Sequence, residues 1–97
     1  MTFEEFNKSL TSLSPPRSLP RLLEGLWWEK KGDWAAAHQI AQSIAGRDGA
    51  LVHAFLHRRE GDESNASYWY NRASRDKPHV SLEEEWESIV KELLNKS

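Results

Sequence analysis

The 97 residues are 38% hydrophobic and 29% charged with five tryptophans, a balance that suits one modest folded core and excludes a disordered chain. A formal charge of −2 gives no pull toward nucleic acid or an anionic membrane, and the lack of cysteine excludes a disulfide scaffold and a thiolate metal site. No stretch has the charged start and apolar run of a signal peptide or the length to span a bilayer, so the expectation is a soluble cytoplasmic protein that binds neither membrane nor nucleic acid.

Thr2-Phe3-Glu4-Glu5 is a capping box, in which Thr2 caps and Glu5 reaches back. Phe3, Phe6, Leu10 and Leu13 follow at helical spacing and predict a helix over 3–13. Ser14-Pro15-Pro16 ends it, because proline cannot continue a helix interior. Ser18 is the expected cap of a second helix, with Pro20 tolerated in its first turn and an apolar face of Leu19, Leu22, Leu23, Leu26 and Trp27. Gly32 can take positive φ and end that helix, and Asp33 caps a third running to about Ala45. Its stripe is Trp34, Ala37, His38, Ala41 and Ile44, and Gly46 stops it. Asp48 is the expected cap of a fourth helix over about 49–60. Gly61 stops that one, and Asp62 caps a fifth to about Ser74 with the stripe Ala66, Trp69, Tyr70 and Ala73. Ser81-Leu82-Glu83-Glu84 is a second capping box. It opens a closing helix over about 82–95, apolar at Leu82, Trp86, Ile89, Val90 and Leu93. No stretch alternates with the period of a strand.

Gly32-Asp33-Trp34-Ala35-Ala36-Ala37 and Gly61-Asp62-Glu63-Ser64-Asn65-Ala66 are one unit met twice, offset by 61 − 32 = 29 residues. Each reads helix, Gly-Asp turn, helix, and Ala37 or Ala66 lets the new helix approach its neighbour closely. The expected fold is therefore all-α: a single domain over 1–97, with tandem αα-hairpins at about 19–45 and 49–74 and capping helices at both ends. A small residue stands seven positions before each Gly (Gly25, Ala54), and Trp28 and His57 stand four before. With the Gly-Asp-x-x-x-Ala units, this resembles tetratricopeptide repeats over about residues 19–74. That resemblance implies right-handed stacking of the hairpins and a concave peptide-binding groove. The offset is shorter than that family's period of about 34, and the usual proline between repeats is absent. The strings GDWAAAHQIAQ, HAFLHRREGD and NASYWYNRA also resemble a family of small uncharacterised bacterial and fungal proteins, which implies no activity.

His53 and His57 are i, i+4 on one helix face, the spacing of a two-ligand metal half-site. His38 lies on the inward stripe of the preceding helix, so the three imidazoles are expected to converge as candidate metal ligands. The competing reading makes them packing groups in a joint lined by Ala50 and Ala54, satisfied by nearby carbonyls or carboxylates. No HExxH glutamate is present, and no acidic residue is expected one turn away on that face. No catalytic residue and no cofactor is assigned. Leu22, Leu26 and Glu29 with Phe55, Arg58 and Arg59 would form an apolar groove with a charged rim, suited to a peptide of an unknown partner protein. Against this, the N-terminal helix could fill the groove through Phe3, Phe6 and Leu10, since so small a chain needs that surface for its core. Trp69 and Tyr70 are expected inside and Tyr68 outside, as an exposed aromatic. The leading expectation is a small non-enzymatic protein-interaction module. Its alternatives are a metal or small-ligand binder using the histidines, and a self-associating structural protein using surplus Trp surface.

Overall fold

The first N–H groups of a helix have no partner inside it, and four helices here begin where a side chain accepts from one of them. Thr2 Oγ1 accepts from the Glu5 amide at 3.1 Å, and the Thr2 amide donates to Glu5 Oε1 at 2.8 Å, opening α1 (Phe3–Ser9). Asp33 accepts from the Ala36 amide and opens α3 (Trp34–Gln42). Asp62 does the same for Asn65 and opens α5 (Glu63–Arg72). Ser81 and Glu84 form the second capping box, at the start of α6 (Leu82–Lys96). The computed structural model describes residues 1–96, and among them there are six helices and no strand.

The two remaining starts differ from the sequence reading. α2 (Arg21–Lys30) begins after Pro20, not at a Ser18 cap. Ser18 is held at φ 63°, a left-handed turn conformation that takes it off the helix end. α4 (Arg47–Arg59) begins two residues before the expected start, with Gly46 in the N-cap position at φ 101°. Only glycine takes that conformation readily. Asp48 therefore sits inside the first turn, where its carboxylate pairs with Lys96 Nζ at 2.9 Å. α1 is also shorter than expected: it stops at Ser9, and Leu13 is 94% exposed instead of lining the apolar face. Likewise α3 stops at Gln42, short of Ala45.

α4 is the central helix. Every residue from Gly49 to His57 is buried, because α3 and α5 pack along it and α6 crosses both α4 and α2. α2 in turn packs on α3, and α1 lies against α6. The core brings together Phe6, Leu23, Leu26, Trp27, Phe55 and Leu56, none of which keeps any exposed surface. Burial of each such side chain is worth about 1.5–3 kcal/mol. Ala37 and Ala66 are fully buried too, small residues where helices approach.

The expected peptide groove is not open. Leu26 and Phe55 have no exposed surface, and Glu29 is 7% exposed and paired with Arg59. The occupant is chiefly α6: Trp86 Nε1 donates to the Leu26 carbonyl at 3.0 Å, and Glu85 accepts from Arg58 at 2.7 Å. α1 backs this helix, with Phe3 and Phe6 each 5.9 Å from Trp86 between ring centroids. Leu22 stays half-buried at the edge of the core. No tryptophan stands in open solvent: Trp27 and Trp86 are buried, and Trp28, Trp34 and Trp69 are half-buried against the core. No helix is long and apolar enough to cross a membrane, among the described residues.

Candidate metal centre

Two helical faces make the site. His53 and His57 lie one turn apart on α4, on the face that α3 covers, and His38 comes from α3. The ring centroids are 4.6 Å apart for His38 and His53, 5.4 Å for His38 and His57, and 4.9 Å for His53 and His57. One ring nitrogen from each histidine lies within 4.8 Å of the other two. His53 Nε2 and His38 Nε2 are 2.9 Å apart, so one donates and the other accepts.

His57 is held from behind. Its Nδ1 lies 2.7 Å from Glu60 Oε1, and a carboxylate can only accept, so Nδ1 carries the hydrogen. In the neutral form of the ring this leaves Nε2 with its lone pair free. A carboxylate that orients an imidazole in this way is the usual second partner of a metal-bound histidine. The expectation that no acidic residue stands one turn away is thereby corrected. Glu60 follows His57 by three residues, and the helix end turns its side chain back.

Two tryptophans clamp the cluster. Trp34 stacks on His38 at 4.6 Å and 13°, fixed by its Nε1 donating to the Leu56 carbonyl at 2.8 Å. Trp69 stacks on His53 at 4.0 Å and 18°. The sequence placed both on core stripes and missed this role. The available signals were the i, i+4 spacing of Trp34 and His38 on one stripe and the place of Trp69 on a stripe facing α4.

Burial pulls the His53 pKa down to about 4, and the neighbouring charges of His38 and His57 pull the same way. Burial also lowers His38, helped by His57 and opposed by Glu60. Both rings are therefore neutral at neutral pH and carry lone pairs without first losing a proton. Tetrahedral zinc with bonds of about 2.0–2.1 Å sets its nitrogens about 3.3 Å apart, so the 2.9 Å pair would open by a few tenths of an ångström. A second trio, His57, Glu60 and Asp62, competes poorly. Asp62 is committed as the cap of α5 and accepts from Asn65 Nδ2 at 2.7 Å.

The groove residues Leu22, Leu26, Glu29, Phe55, Arg58 and Arg59 are not part of this cluster. Arg59 Nε lies 2.6 Å from Glu29 Oε2 but is not aligned for a hydrogen bond, and Glu29 Oε1 is buried without a partner. Burial raises the Glu29 pKa against the pull of Arg59. Tyr68 stands at the surface, 53% exposed, with its hydroxyl accepting from Arg72 at 3.3 Å. No family model, no curated protein and no solved structure matches the chain.

Proposed function

We propose that this chain is a non-enzymatic protein that binds a divalent transition metal of the zinc class through His38, His53 and His57. The observation that carries the reading is the convergence of three ring nitrogens, one of them oriented by Glu60. Three nitrogen donors suit zinc, and a fourth position is left for water or a ligand. In this reading α2–α3 and α4–α5 are tandem tetratricopeptide-like hairpins. The metal would join them, with one ligand from the first hairpin and two from the second. This reading is favoured over a peptide module because α6 packs on the groove residues Leu26 and Arg58, and over self-association because no tryptophan is fully exposed.

The test is calorimetric titration of metal-free protein with zinc. One equivalent should bind, and His38→Asn, His53→Asn and His57→Asn should each weaken it at least tenfold. Glu60→Gln should weaken it by about 10–100-fold, as loss of such an orienting partner does elsewhere. His79→Asn, on an exposed residue outside the cluster, should change nothing. Binding that survives all three cluster substitutions would sink the proposal.

A further inference from the structure

On another side of His53 lies a cavity of about 270 Å³, walled by the α3–α4 turn, the first turns of α4, and Trp69 and Arg72 of α5. Its floor is Gly49 and Ala50. A Cβ on Gly49 would stand 2.1 Å from the Ile44 carbonyl oxygen, so the turn closes on α4 only because that side chain is absent. Among the described residues no acidic one lines this space, and two arginines, Arg47 and Arg72, do. Neither has a carboxylate partner among the described residues, whereas Arg58, Arg59 and Arg75 all have one. α4 opens here on Gly46, which offers no side chain to accept from the first-turn N–H groups.

The buried histidine supplies the second observation. His53 is 6% exposed and lines the cavity. Its Nε2 is engaged with His38, and its Nδ1 has no partner among the described residues. Once Nε2 binds a metal, Nδ1 must carry the ring's hydrogen, and a metal-bound imidazole normally donates that hydrogen to an anion or a carbonyl. Glu60 does this for His57. Among the described residues nothing equivalent serves His53.

We infer that the cavity binds a small phosphate-class dianion, held by Arg47, Arg72 and the first-turn N–H groups of α4, and accepting the Nδ1 hydrogen of His53. Two guanidinium groups match a phosphate's charge and its spread of acceptor oxygens better than they match a single carboxylate. The volume lies just below the usual range for small-molecule pockets, about 300–1,000 Å³, and suits inorganic phosphate or a small phosphate ester. The link to His53 rests on the metal reading, and it makes the two sites cooperative: each ligand tightens the other by the same factor.

The experiment begins without metal. Inorganic phosphate is titrated into metal-free protein at constant ionic strength, with acetate as the control, while the Arg47–Gly49 amides and the His53 ring are followed by NMR. Saturable shifts are expected there, with phosphate at least tenfold tighter than acetate. Arg47→Ala and Arg72→Ala, both on exposed residues, should each weaken phosphate at least fivefold with the melting temperature unchanged. Equal responses to phosphate and acetate, or undiminished phosphate binding in both variants, would overturn the site. This arm needs no metal, so it stands even if zinc binding fails. A second arm titrates cobalt(II) with and without saturating methylphosphonate. Affinity should rise severalfold with the anion and not in Arg47→Ala. Cobalt binding that ignores the anion would overturn the coupling.

Discussion

At the scale of single residues, Gly49 shows how one missing carbon sets a turn. The Ile44 carbonyl passes so close that any Cβ would meet backbone, which cannot swing aside as a side chain can. Gly49→Ala should therefore cost about 3 kcal/mol, the upper end of ordinary overpacking. Gly32 makes a useful contrast. It sits at φ 95° with open space around the would-be Cβ, so Gly32→Ala should cost only backbone strain, about 1 kcal/mol. Urea denaturation of the two variants gives the comparison. Equal costs would show that the close approach to Ile44 is not what requires glycine at position 49.

At the scale of elements, α6 is fastened to α4 and α5 by a buried polar contact. Glu85 is nearly fully buried and accepts twice, from Tyr70 Oη at 2.5 Å and from Arg58 at 2.7 Å. Arg58 also donates to the Val80 carbonyl just before the helix. Burial, followed by the bond to Glu85, raises the Tyr70 pKa, so the phenol stays protonated and keeps donating. Removing one partner strands the others, and a broken buried pair costs about 3–5 kcal/mol. Glu85→Ala should fall in that range. The double variant Glu85→Leu, Arg58→Met should recover much of the loss, because it leaves no charge unpaired. A double variant no more stable than Glu85→Ala would mean that the cost is packing alone. Leu82, by contrast, is only half-buried at the helix start, and Trp86, Ile89, Val90 and Leu93 carry the apolar contact.

For the whole molecule, the histidine cluster ties stability to pH. In metal-free protein the folded pKa of His53 is about 4, below its unfolded value of about 6.5, and that of His38 is also lowered. A lowered histidine favours the fold while it is neutral. The contribution is fully present above the unfolded pKa and is lost as pH falls from about 6.5 toward about 4. The charged or titratable groups facing these rings are His38 and His57 toward His53, and His53, His57 and Glu60 toward His38. Denaturation at pH 7, 5.5 and 4.5 should show stability falling with pH, and His53→Gln should flatten that slope. An unchanged slope in the variant would place the pH dependence in other groups.

What neighbouring residues can satisfy among themselves was legible along the chain. Thr2, Asp33, Asp62 and Ser81 begin their helices as read, because each cap meets a backbone donor three residues away. The i, i+4 pair of His53 and His57 and the inward stripe of His38 were legible for the same reason, since helical periodicity assigns a face. What covers a face is not periodic information. α4 begins at Gly46 instead of Asp48 because the turn folds back onto Gly49, a contact with Ile44 that no cap rule contains. Glu60 reaches His57 and Trp34 stacks on His38 within single helices, three and four residues apart, whereas Trp69 closes on His53 only once α5 has packed on α4. The groove was filled across 60 residues of sequence, when the Trp86 indole found the Leu26 carbonyl. Local hydrogen bonds and spacing are written along the chain, whereas the pairing of apolar faces depends on the path of the turns between them, and only the tertiary structure decides that.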